Sequence, residues 1–302
     1  MKLATTTCDF GIYPTHEERI RHLYDAGFRY IDLSLYREDD LRDFMQPGWE
    51  DAVRKLKEFA ESLGMTFVQA HSPGGNPLSR DANWDRLLET TIRSVEICGI
   101  LGIPNTVVHA GWAGGIGKEE YYERNRDFYA LLYPAMEKAN VNVLIENSAK
   151  ANMGSNYYFL TGADMKEFLN YADHPLLHAC WDTGHANIEG HQYEDIVALG
   201  DDLHALHIND NRGKMDEHMM PYLGTMCMDE VMLGLREIGY KGCFTFEGGS
   251  TPVRRVSWPL SRMPFRETPY LQDPPDFLYN DLERAMYKIG VHILKSYDCF
   301  EE

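Results

Sequence analysis

Six side chains able to bind a divalent cation each sit at the end of a short apolar run: His71, His109, Glu146, Asp182, His207 and Glu247. The runs read FVQAH, TVVHA, VNVLIEN, LHACWDT, LHALHIN and CFTFEGG, one candidate per run over roughly 180 residues. A parallel β-barrel brings the C-terminal ends of all its strands to one mouth, so this spacing predicts that the six converge there. Glu146, Asp182, His207 and Glu247 make an oxygen-rich set with one imidazole. Such a set suits Mn²⁺ first, with Mg²⁺ and Co²⁺ next and Zn²⁺ behind. Any one of them alone reads equally as a buried ion pair or a satisfied polar group. Four at successive run ends argue against that for the set.

A second tier surrounds these four. His185 follows Asp182 in D-T-G-H, Asp216 and His218 form D-E-H, and His71 and His109 close the third and fourth runs. These five are read as substrate-binding groups that hold hydroxyls, or as ligands of further metal. Trp112 and Phe10 are candidates for an apolar wall, with ordinary core packing the alternative for both. His191 and His204 are assigned no role.

Positioning these groups requires regular elements. β-Rich runs are predicted at about 2–7, 28–34, 65–71, 105–110, 141–146, 176–182, 202–208 and 243–248. Helix-length amphipathic stretches alternate with them at about 15–26, 49–63, 85–100, 119–140, 161–172, 193–200 and 228–238, with an eighth at 276–296. The period changes from two to about 3.6 at each switch. Thr15 and Thr161 open helices whose first turns carry acids, and Gly27, Gly64, Gly102 and Gly239 follow helical runs where a left-handed cap is wanted. Eight strand–helix units in this order predict a single-domain (β/α)8 TIM barrel of class α/β over residues 1–302. A doubly wound open sheet is the competitor, and candidates on six different strands favour closure.

The bulk properties narrow the function. The chain has 302 residues, 44% of them hydrophobic and 12% aromatic, which is ample for one large core. A formal charge of −18 at pH 7 works against a nucleic-acid partner. No apolar run approaches the roughly 18 residues of a membrane span. The opening MKLATTTCDFGIY lacks the signature of a signal peptide. The six cysteines are widely spaced, and Cys98, Cys180 and Cys243 are read as buried thiols. The expectation is a cytoplasmic protein.

Residues 249–275, between the last strand and the last helix, hold six of the 14 prolines together with Arg254, Arg255, Arg262 and Arg266. As an extended eighth βα loop, followed by the helix and tail at 276–302, this segment emerges on the face of the proposed site. It is read either as a strap on the barrel rim, or as a lid or subunit interface that helps bind an anionic substrate.

The motifs V-L-I-E-N (Glu146), W-D-T-G-H-A-N (Asp182, His185), L-H-I-N-D-N (His207) and F-T-F-E-G (Glu247) together resemble the xylose isomerase-like TIM-barrel superfamily. That superfamily holds sugar isomerases and epimerases, inosose dehydratases and endonuclease IV, and the resemblance covers residues 1–248 and the last helix. By similarity to its ketose epimerases, Glu146 and Glu247 would bind metal and act as the catalytic acid/base pair. They would move a proton next to the carbonyl of a small, polyhydroxylated, sugar-like substrate through an enediolate, with His185 on the carbonyl oxygen. The chain departs from those epimerases in two places. Asn152 stands where they carry a glutamate, and Gly213, with Arg212 one position off, where they carry an arginine. Similarity to endonuclease IV would make His71, His109, Glu146, Asp182, His185, His207, Asp216, His218 and Glu247 the nine ligands of three zinc ions. The expectation is a metal-dependent isomerase or epimerase. The alternatives are a dehydratase or other lyase of a keto-sugar, inosose or C-glycoside, an abasic-site nuclease, and a metal-stabilised binding module. The resemblance is also compatible with a homo-oligomer.

Overall fold

The computed structural model describes residues 1–8, 13–154, 156–249 and 275–301. Phe10 and the four arginines of the 249–275 segment lie outside them, so the two readings of that loop do too. Among the described residues, eight parallel strands run in sequence order around a ring. They are β1 (Leu3–Thr6), β2 (Tyr30–Ser34), β3 (Thr66–His71), β4 (Asn105–Val107), β5 (Asn142–Glu146), β6 (Leu177–Asp182), β7 (Leu203–His207) and β8 (Phe244–Phe246). β1 pairs with both β2 and β8. Between β7 and β8 the ring closes through Ile208, whose N–H donates to the Thr245 carbonyl at 2.8 Å and whose carbonyl accepts from Glu247 N–H at 2.9 Å. The expected (β/α)8 barrel is therefore what the chain forms.

The helices are α1 (His16–Ala26), α2 (Trp49–Ser62), α3 (Trp84–Leu101), α4 (Lys118–Ala130), α5 (Tyr133–Ala139), α6 (Lys150–Met153), α7 (Gly162–Ala172), α8 (Thr183–Glu189), α9 (Tyr193–Leu199), α10 (Met228–Glu237) and α11 (Asp276–Ser296). Thr15 caps α1 with Glu18 in a reciprocal box, and Thr161 caps α7 through the Asp164 N–H. Gly102 ends α3 at φ 78°, a conformation its missing Cβ makes cheap. The one long helix read at 119–140 is two helices. Pro134 has no N–H to give Ala130, and the chain tightens into i→i+3 bonds at Leu131 and Leu132 before restarting. The short α6 and α8 had no counterpart in the periodicity, being too brief for it to register.

Period-two alternation stacks the barrel interior in layers. The middle layer is split. Val107, Leu144, Cys180 and Ala205 form an apolar cluster on the side of β4 to β7. On the opposite side the buried Asp32, Gln69 and Thr245 are hydrogen-bonded to one another, Gln69 Nε2 to Asp32 Oδ2 at 3.4 Å and Thr245 Oγ1 to Gln69 Oε1 at 3.4 Å. Two residues further along each strand, the same phase gives Ser34, His71, His109, Glu146, Asp182, His207 and Glu247, which is the mouth. Outside, helices cover the strands, and Phe28 stands edge-on to both Phe246 and Tyr287. None of the six cysteines is in a disulfide; Cys98 and Cys180 are buried as expected and Cys243 only partly so. No helix among the described residues is long and apolar enough to cross a membrane.

Candidate metal centre and active site

At the floor of the mouth, His207 Nδ1 lies 2.6 Å from Glu146 Oε1 and 3.5 Å from Glu247 Oε2. Asp182 is held rigidly beside them. Asn209 Nδ2 donates to its Oδ2 at 2.6 Å, the His185 N–H donates to its Oδ1 at 2.6 Å, and its own N–H reaches Asn147 Oδ1 at 2.7 Å. One oxygen or nitrogen from each of Glu146, Asp182, His207 and Glu247 lies within 4.8 Å of the others. Two further clusters adjoin. In one, His71 Nε2 is 3.0 Å from His109 Nε2, and His109 Nε2 is 3.2 Å from Glu146 Oε2. In the other, Asp216 Oδ2 lies 3.1 Å from His185 Nε2 and 3.0 Å from His218 Nε2.

The backbone sets several of these tautomers. The Nδ1 atoms of His71, His185 and His218 face the carbonyls of Ser72 (2.8 Å), Asn147 (2.9 Å) and Glu247 (3.1 Å). Nδ1 must therefore be the donor, and Nε2 is the atom turned to the cavity.

Crowded charge shapes the electrostatics. Burial opposes ionisation of Glu146, yet His207 and His109 outweigh it and hold the carboxyl well below its usual range. Glu247 has the opposite balance, and burial pushes it up to about 7 despite the same His207. Burial raises Asp182 as well. Burial and the neighbouring His109 force His71 down to about 3, so it stays neutral. Burial works against a charged His218, but Asp216 and Glu247 lift it to about 9.

The donor set fits a divalent cation. Glu146 Oε2 and Asp216 Oδ1 are buried with no hydrogen-bond partner, a costly state for a carboxylate that a cation would relieve. Above the floor opens a cavity of about 380 Å³, walled by Tyr36, Trp112 and Met153 and edged by Ser34, Cys8 and Asn152.

A sequence model of the family described as xylose isomerase-like TIM barrel matches residues 20–268. The chain belongs to the xylose isomerase-like TIM-barrel family. Among curated relatives of this family, an uncharacterized protein of Sinorhizobium fredii, y4fM, is 25% identical over 281 residues, covering 80% of this chain and 86% of the relative. A probable endonuclease 4 of Cenarchaeum symbiosum is 30% identical over 208 residues, 63% of this chain and 72% of the relative. Of solved structures, D-psicose 3-epimerase with D-tagatose from Clostridium cellulolyticum H10 superposes with a TM-score of 0.74 over 97% of this chain and 99% of that one. At 17% identity that likeness is one of fold.

Within this xylose isomerase-like barrel, every candidate among the described residues reaches the mouth: Glu146, Asp182, His207 and Glu247 at the floor, His71, His109, Trp112, His185, Asp216 and His218 around it. His109 and Glu247 sit just past β4 and β8 rather than inside them. Asn152 donates to Asp216 Oδ2 at 3.0 Å, and Arg212 is occupied by Glu217, Nε to Oε1 at 3.0 Å. His204, given no role, stacks on His178 with ring centroids 3.7 Å apart. Four residues went unread. Asn147 and Asn209 stand directly inside the E-N and H-I-N motifs, so their signal was present. Asp32 is an acid in phase with Ser34 on an otherwise apolar strand. Tyr36, edge-on to His71 at 5.1 Å, leaves no mark in the sequence.

Proposed function

We propose that the protein is a divalent-metal-dependent isomerase or epimerase of a small, polyhydroxylated, sugar-like substrate. The observation that carries this reading is the four-residue cluster of Glu146, Asp182, His207 and Glu247 at the base of a cavity of small-molecule size. These four would hold the cation, Mn²⁺ first by the chemistry of the donors. When bound, it would polarise a carbonyl and stabilise the negative charge of an enediolate. Glu247, which lines the cavity beside the cation site, is placed to take a proton from the carbon beside the carbonyl. In an isomerisation Glu247 would hand the same proton back at the neighbouring carbon; in an epimerisation Glu146 would have to enter the step protonated and give its own proton, with exchange with solvent resetting the pair. His71, His109, His185, Asp216 and His218 would bind the hydroxyls, and Tyr36 and Trp112 would cover the apolar face of the sugar. The 3-epimerase activity named for the fold neighbour agrees with this chemistry.

Incubating the protein with a panel of ketoses and inososes in deuterated water tests it. Deuterium should enter at the carbon next to the carbonyl, and Glu247→Gln should abolish both exchange and turnover while the fold survives. Full activity in that variant removes the acid/base assignment. A product that has lost water would point to a dehydratase, which starts from the same proton.

A second reading follows from the two flanking clusters. Together with the central one they supply three adjoining ligand groups, of which the His71–His109 group shares Glu146 with the central one, as an abasic-site nuclease with three zinc ions would need, and a probable endonuclease 4 is among the relatives. The charge of −18 weighs against it. Metal content separates the two: about one tightly held ion per chain for the sugar reading, three zinc ions with cleavage of abasic DNA for the other.

A further inference from the structure

The middle layer beneath the site contains a carboxylate that neither the sequence motifs nor the proposed reaction uses. Asp32, on β2, is 1% exposed, and its Oδ2 lies 3.5 Å from His207 Nε2. His207 Nε2 is buried and makes no hydrogen bond, nor does Asp32 Oδ1, so Asp32 is the acceptor nearest to hand for a proton on Nε2. The opposite ring nitrogen, Nδ1, is the one aimed at Glu146 and Glu247. Asp32 itself is held from the side by Gln69, which is in turn held by Thr245. Cys180 also borders the His207 ring, but burial pushes its thiol up to about 12, so it brings no charge there. The ring is thereby clamped between an acid below and the candidate ligands above.

We infer that Asp32 is a positioning residue: when a cation displaces the proton that His207 Nδ1 now gives Glu146, Asp32 accepts the His207 Nε2–H and holds the ring with its Nδ1 lone pair on the cation site. The physical warrant is general. A ligating imidazole carries one proton, and an acceptor at the far nitrogen decides which nitrogen is left free, orients the ring and makes it a better donor to a cation. An unpaired carboxylate at this depth is expensive unless it serves such a partner. The inference rests on the metal reading of Glu146, Asp182, His207 and Glu247, but on neither the sugar nor the nuclease chemistry.

The test compares metal-free full-length wild type, Asp32→Ala and Asp32→Asn by calorimetric titration with Mn²⁺, with His207→Asn as the control for the site. ¹⁵N NMR of ring-labelled histidine in the Zn²⁺-loaded proteins reads the tautomer. Asp32→Ala should bind Mn²⁺ about 10–100-fold more weakly and lose the Nε2–H signal of His207. Asp32→Asn, which keeps an oxygen acceptor without the charge, should keep that tautomer and fall between the two in affinity. If Asp32→Ala does not fold, Asp32→Asn decides, since affinity equal to wild type overturns the inference. A lowered melting temperature with unchanged affinity and tautomer means a merely structural acid and also overturns it. Wild type that takes up no Mn²⁺, or a His207→Asn variant that binds as well as wild type, removes the metal reading itself. Equal binding by wild type and both Asp32 variants, with His207→Asn impaired, removes only the role of Asp32.

Discussion

His71 and His109 meet Nε2 to Nε2 at 3.0 Å, so at most one of these atoms carries a proton. The proton of neutral His71 is committed to the Ser72 carbonyl, which leaves its Nε2 as an acceptor. A sugar hydroxyl, both donor and acceptor, matches such a pair. His71→Ala and His109→Ala should each raise KM by about 10–100-fold, the cost of one or two lost hydrogen bonds, with tightly bound metal unchanged. Steady-state kinetics and elemental analysis together check this, and loss of the metal would make the pair ligands instead.

Gly184 owes its place in D-T-G-H to crowding. A Cβ there would lie 1.8 Å from Asn209 Oδ1, and Asn209 is the residue that grips Asp182 Oδ2. Gly184→Ala should cost ~1–3 kcal/mol of stability and weaken cation uptake by releasing Asp182. Chemical denaturation and metal titration of the same preparation read both effects; unimpaired uptake would detach Asn209 from the site.

The loop after β2 is tied to α1 by a buried ion pair, Arg19 Nη1 to Asp40 Oδ1 at 2.6 Å, with side-chain exposures of 8% and 3%. Removing one partner strands the other without solvent. Arg19→Ala should therefore destabilise by ~3–5 kcal/mol, whereas Arg19→Met with Asp40→Leu should cost much less. A double variant that loses the sum of the two corresponding single variants would show that the pair is not coupled.

Glu283 on α11 is 5% exposed and accepts from Thr5 Oγ1 at 3.3 Å. Burial pushes it from 4.5 up to about 8. Between those values the native state keeps a proton that the unfolded chain has released, so this residue lowers stability as pH rises through that window. Glu283→Gln should gain ~2–4 kcal/mol over wild type at pH 8 and little at pH 4. Urea denaturation at both pH values measures it, and a gain independent of pH would rule out the titration.

Much of this architecture was legible because its causes are local. The alternation of periods gave the strand–helix order, and Thr15, Thr161 and Gly102 marked helix ends through backbone chemistry that any fold would require. The candidate ligands were legible for a different reason, each being an ionisable group at the end of an apolar run. What escaped depends on neighbours remote in sequence. Asp32 and His207 are far apart along the chain and meet only once the ring has closed. The break before Pro134 was missed for the opposite reason: the amphipathic pattern continues across it, and only the absent N–H interrupts the helix.

Closure at Ile208 has a mechanical side. Neighbouring pairs such as β2 and β3 share a long ladder, whereas β7 and β8 are stitched through Ile208 and Phe246 alone among the described residues. That seam runs between His207 and Glu247, the residues immediately before Ile208 and after Phe246. A cation gripped by both would act as a rivet across the thinnest part of the wall. Loading the site and holding the barrel shut would then be a single event, and amide exchange at Ile208 and Glu247 should slow when the metal is added.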